Sequence, residues 1–138
     1  MDATRTRVWC TLLVILDLSL AECAYAHVSI KRSPQGQVLE ISSLASDPGS
    51  PCAPTEDSGL VVKRDFEDDA VTLKGIVVEH KDGTRTFINV ETPTGLNMAE
   101  QGLVLDGLQR LSKIGRQVEL GLFACGAAGR FLYLDRIR

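Results

Sequence analysis

Four cysteines, two histidines and a scatter of carboxylates are the residues of this 138-residue chain that could do chemistry. Cys10 and Cys23 lie in an apolar N-terminal stretch, so Cys52 and Cys125 are the pair that stays with the folded part. In an oxidising compartment two such cysteines form one disulfide; the alternative is two buried free thiols. His27 and His80 suit copper, the more so because a histidine at a newly cut N-terminus offers an amine beside its imidazole. No Met-rich or Cys-rich partner accompanies them. Asp65, Glu67, Asp68 and Asp69 are clustered, but without the regular oxygen-ligand spacing of a calcium loop, and read as a solvated turn. A Gly-rich phosphate loop, a paired Cys-x-x-Cys and a Gly-x-Ser-x-Gly element are all missing, so no cofactor is expected.

The cysteine argument depends on the compartment, and the first 26 residues speak to that. Arg5 and Arg7 precede a mostly apolar run, Val8–Ala21, and Ala24-Tyr25-Ala26 offers a small-x-small cleavage site. The run falls short of the roughly 20 residues a membrane span needs and is interrupted by Asp17. Residues 1–26 therefore read as a cleavable signal peptide, leaving a periplasmic or secreted protein that begins at His27 and has no membrane anchor. Glu22 before Cys23 fits lipoprotein processing poorly. With 15 basic against 18 acidic side chains, the balance also argues against indiscriminate binding to nucleic acid.

The elements that must position these residues follow from periodicity and turn chemistry. Residues 27–59 read as a loop-rich extension with a short strand at Gln37–Ile41; Ser43–Gly59 is rich in Ser, Pro, Asp and Gly and carries Cys52. Residues 60–138 read as the domain proper. Leu60–Arg64 is a short strand, and Val71–Glu79 and Arg85–Glu91 form a hairpin around Asp82-Gly83. Gly75 within the first arm predicts a bulge or sharp bend. Asn97 and Glu100 stand in the capping-box relation at the start of a helix over Met98–Ile114, with Val104, Leu108 and Leu111 on one stripe and Leu105 beside it. Two alternating runs, joined by Gly126–Gly129, close the chain. Val118, Leu120 and Leu122 form the apolar side of the first, and Phe131, Tyr133 and Ile137 that of the second.

Strands, helix, then a strand pair is the order of a mainly β (α+β) fold, a small OB-like five-stranded barrel with one helix. Val90-Glu91-Thr92-Pro93-Thr94, Gly115–Leu120 and Gly129-Arg130-Phe131-Leu132-Tyr133-Leu134 resemble the acid-Pro element, the post-helix strand and the Gly-Arg strand of the staphylococcal-nuclease-like family. The resemblance covers Val71–Arg138. It implies a divergent metal-dependent nuclease using Arg130, Asp82 and Glu91, with calcium as its ion. The chain departs from that pattern where Thr94 replaces the expected glutamate and Thr86 the first arginine; Arg85, one residue away, points to the other face of a strand. Phosphodiester hydrolysis needs an activated water together with charge stabilisation, and Arg130 alone supplies neither base nor metal.

The favoured reading is accordingly an exported, non-catalytic binding or interaction module whose barrel meets a periplasmic or extracellular ligand, with a protein and a glycan among the candidates. A calcium-dependent nuclease and a copper-binding protein using His27 and His80 are the alternatives.

Overall fold

The computed structural model describes residues 28–45 and 51–138. The signal-peptide reading and His27 lie outside these residues. Strand β1 (Ser29–Arg32) pairs antiparallel with β2 (Val38–Ser42), so the extension carries a hairpin where the sequence indicated one short strand. β3 (Ala53–Phe66), β4 (Leu73–Glu79) and β5 (Arg85–Asn89) follow, then helix α1 (Met98–Leu111), β6 (Gln117–Cys125) and β7 (Phe131–Ile137).

Five of these strands close a barrel. β3 pairs with β4, β4 with β5, β5 runs parallel to β7 through the Asn89–Tyr133 bridge, β7 pairs with β6, and β6 returns to β3. With the helix between the third and fourth barrel strands, this is the OB-like architecture, mainly β with one helix among the described residues. β2 adds to the outside of β7 at Ile41–Ile137, which brings the N-terminal hairpin into the same sheet.

The expectation of a loop over Ser43–Gly59 fails for its second half. β3 begins at Ala53, and Ala53–Leu60 pairs along the length of β6 from Ala124 to Gln117. Composition misleads here because Pro54, Asp57 and Ser58 are strand-poor residue types, and the pairing comes from a partner some sixty residues away in sequence. At Leu60 the strand changes neighbour, from β6 to β4. Gly59, buried, sits at that corner: a Cβ there would lie 2.8 Å from the Glu79 carbonyl oxygen. The predicted irregularity at Gly75 is present, since Asp65 faces Gly75 while Phe66 faces Leu73, leaving Lys74 as an extra residue in β4.

The helix forms where the capping box places it. The Asn97 side chain accepts from the Glu100 amide at 2.9 Å, and the Glu100 carboxylate accepts from the Asn97 amide at 3.1 Å. Val104, Leu108 and Leu111 are buried, as the stripe predicts. The helix stops at Leu111, short of Ile114, where the Ser112 hydroxyl donates back to the Leu108 carbonyl at 2.6 Å. Its two glycines have opposite surroundings. A Cβ on Gly107 would come within 2.7 Å of Ile41, so this glycine lets the helix lie close on β2, whereas Gly102 faces open space. Gly102→Ala is therefore expected to stabilise the protein by up to about 1 kcal/mol, through helix propensity alone. Gly107→Ala is expected to give no such gain; denaturant melts of the two variants check the contrast.

The core is aliphatic throughout. Ile76, Ile88, Leu120 and Leu134 are among its fully buried members, and no aromatic ring belongs to the buried cluster.

Candidate functional site

Each candidate residue within the described part of the chain has a definite place. Cys52 and Cys125 are joined as a disulfide, their Cα atoms 4.1 Å apart. The bond continues the β3–β6 register one step beyond the Ala53–Ala124 pair, so it pins the start of β3 to the end of β6.

Asp82 closes the β4–β5 turn, accepting from the Thr84 amide at 2.9 Å and the Thr84 hydroxyl at 2.6 Å. These bonds, the hydroxyl first, hold its carboxyl below the usual carboxylate range. Glu91 is exposed just after β5, Thr94 is exposed, and Arg130 is exposed at the entry to β7. No ion pair among the described residues joins Asp82, Glu91 and Arg130. No group of three or more His, Cys, Asp or Glu side chains among those residues is placed to hold a metal ion. Arg85 pairs with Glu79 at 2.8 Å rather than standing free on the strand.

Both ring nitrogens of His80 are engaged. Nδ1 lies 3.2 Å from the Ser58 carbonyl and 3.4 Å from the Asp57 carboxylate, and Nε2 lies 2.8 Å from the Thr86 hydroxyl. The imidazole thus ties the β4–β5 turn to β3.

The surface the sequence did not reveal is built by β7. Alternation through Phe131, Tyr133 and Ile137 suggested that these three share the buried side. Instead Leu134 and Ile137 are buried, Leu132 packs against the core, and Phe131 and Tyr133 face outward. Phe-Leu-Tyr-Leu is apolar at both parities, so alternation there cannot choose a face; the β6–β7 irregularity between Gly121 and Leu122 then resets the parity before Ile137.

Five aromatic rings lie in the described residues, and four of them sit on the outer side: Phe87, Phe123, Phe131 and Tyr133. Their arrangement follows from register. Tyr133 is the partner of Asn89 on β5 and of Phe123 on β6, and Phe123 is the partner of Pro54 on β3. The result is one row, Asn89–Tyr133–Phe123–Pro54, across four strands. Phe87 and Phe131 each precede the Asn89–Tyr133 bridge by two residues and share its outward parity.

Local chemistry fixes the rings. A Cβ on Gly75 would come within 2.4 Å of the Phe87 ring, so the glycine leaves the space that ring fills. Gly126, at φ 78°, performs the same service for Phe131, whose ring would lie 3.0 Å from a Cβ. The Asn89 side-chain Nδ2 donates to the Leu132 carbonyl at 3.0 Å and reinforces the single β5–β7 bridge. Phe87 and Phe131 nevertheless stay 46% and 54% exposed, side by side on neighbouring strands.

Beside Phe123 and Pro54 the surface sinks into a depression of about 250 Å³, lined also by Thr55, Gly121 and Asp135 and walled by Arg136. Arg136 reaches across Gly121, its strand partner, to donate from Nη2 to Glu56 at 2.7 Å. A larger open cleft of about 650 Å³, with Lys81 and Glu119 in its lining, continues beyond this ion pair. Burial pushes the Asp135 carboxyl above the usual carboxylate range, opposed by the Ala45 amide and by Arg136. A carboxyl whose folded-state pKa is raised keeps its proton longer in the folded protein, so stability falls as pH rises through the window just above the ordinary value. Asp135→Asn is therefore expected to melt higher than wild type at pH 7 and level with it near pH 3; the reverse order at pH 7 would count against this assignment.

Among the described residues no helix is long and apolar enough to cross a membrane. No family model, no curated protein and no solved structure matches the chain.

Proposed function

We propose that the protein is an exported, non-catalytic binding module of the periplasm or extracellular space, and that it engages its ligand through the outer face of the barrel. The observation that carries the reading is the position of the aromatic side chains. The buried core cluster is aliphatic, and four of the five described rings lie on the outer side of the adjacent strands β5, β7 and β6. Solvent-facing rings cost stability unless something covers them, and large apolar groups held outward by glycine-made spaces mark recognition surfaces. The disulfide supports the same reading, because it fastens the two strand ends that border Phe131 and Phe123. OB-like barrels as a class recognise ligands on their strand faces and loops, although the fold by itself does not fix the ligand.

The test is amide NMR of the disulfide-bonded protein titrated with fractionated periplasmic and cell-envelope extract. Shifts concentrated at Phe87, Phe123, Phe131 and Tyr133, and reduced in Phe131→Ala, are the expected outcome. Shifts confined to α1 or the β1–β2 hairpin, or none at all, would overturn the proposal.

A further inference from the structure

We infer that the row Asn89–Tyr133–Phe123–Pro54, with Phe131 above it and the Arg136 depression below it, binds an uncharged, hydroxyl-rich polysaccharide chain. The inference rests on the binding-module reading and names the class of ligand for that same face.

Two observations narrow the ligand. The first is shape: rings on adjacent strands form a shallow platform rather than a closed pocket, and the depression beside it is only about 250 Å³. A chain with flat apolar faces, laid across the strands, covers such a platform, with one unit seated in the depression. Sugar rings present such faces through their C–H groups, and aromatic side chains stack on them.

The second observation is charge. Three guanidinium groups along this side each hold a carboxylate, Arg136 with Glu56 at 2.7 Å, Arg138 with Glu119 at 2.7 Å, and Arg85 with Glu79 at 2.8 Å, while the buried Nε of Arg136 has no hydrogen-bond partner. A phosphate or sulfate chain lying here would meet the carboxylates of Glu56 and Asp135 beside Arg136, so its negative charge would be opposed there. An uncharged chain needs no net field. Arginine–carboxylate pairs set donors and acceptors side by side, which is what neighbouring hydroxyls, each both donor and acceptor, can satisfy. Thr55 adds a further hydroxyl at the depression. Arg130, exposed next to Phe131, makes no ion pair among the described residues and lies off the row, so it separates the two ligand classes experimentally.

The experiment titrates the disulfide-bonded protein with neutral hexamers of cellulose, chitin and amylose, and separately with a heparin hexamer and oligothymidylate, following amide shifts. At least one neutral hexamer is expected to move the amides of Phe123, Phe131 and Tyr133. Tyr133→Ala and Phe131→Ala are each expected to weaken that binding about fivefold or more. Tyr133→Phe keeps the ring and is expected to retain most of the binding, and Arg130→Ala is expected to leave it unchanged. A dispersed spectrum and an intact Cys52–Cys125 bond show that each variant is folded. The inference is overturned if none of the neutral hexamers moves these amides, or if only the anionic probes do. Extract that shifts the face while every neutral hexamer fails removes the polysaccharide and keeps the binding module; failure of both removes both.

Discussion

Replacing Cys52 and Cys125 together by alanine is expected to lower stability by about 4 kcal/mol, the chain-entropy value for a loop of this size. The bond closes a separation of 73 residues, which holds four of the five barrel strands and the helix. Its effect acts chiefly on the unfolded chain, which loses the conformations in which Ala53 and Ala124 are far apart. In the folded protein those two residues are already strand partners. A loss of that size corresponds to a melting temperature lower by on the order of 20 °C for a small domain. The unfolded state should also become more expanded, so the denaturant slope should rise along with the fall in midpoint. Thermal and urea melts of wild type and the double variant check both. An unchanged midpoint together with an unchanged slope would mean that the bond does not constrain the unfolded chain. The structural consequence is local: without the bond, the start of β3 loses its fastening to β6 beside Pro54, the end of the aromatic row.

Gly59→Ala is expected to cost about 2 kcal/mol or more, the upper part of the range for forcing an extra methyl into a packed site. At this position β3 leaves β6 and takes up β4, and the barrel depends on the two partners meeting there. The added Cβ would lie 2.8 Å from the Glu79 carbonyl oxygen and 3.3 Å from the Val78 Cβ. Both neighbours are fixed by the ladder, so neither can swing aside as a side-chain tip would. Relief requires β3 and β4 to separate at Leu60–Glu79, the first pair of their ladder. A urea melt gives the magnitude. Parallel measurement of Gly102→Ala, which adds the same methyl to open space, shows whether the loss comes from contact rather than from glycine chemistry in general. Equal stability of Gly59→Ala and wild type would remove the corner from the account of the fold.

These two positions also show where the sequence was readable. The Cys52–Cys125 pair follows from counting cysteines once the N-terminal stretch is set aside. Gly59 carried no such signal, since it ends a segment whose Ser, Pro and Asp content reads as loop. Its importance comes from Glu79, a neighbour supplied by the fold.

The same division runs through the candidate site. The capping box at Asn97 and Glu100, the Asp82-Gly83 turn and the β6 alternation are local: each depends on residues a few positions apart, and the sequence determined each of them by itself. Together with the order of elements they were enough to specify an OB-like barrel. The pairing of Ala53–Leu60 with β6, and the outward turn of Phe131 and Tyr133, were decided by tertiary structure. In the first case a strand-poor segment is held by hydrogen bonds to a distant partner and by a covalent bond. In the second, a run apolar on both sides leaves its face to be chosen by packing and register, and it is Leu132 and Leu134 that meet the aliphatic core. The closing segment, Gln117–Arg138, was therefore legible as a hairpin and as one end of a disulfide. That it carries an aromatic surface, with Arg130 exposed beside it, depended on which parity of Phe-Leu-Tyr-Leu faced the barrel interior.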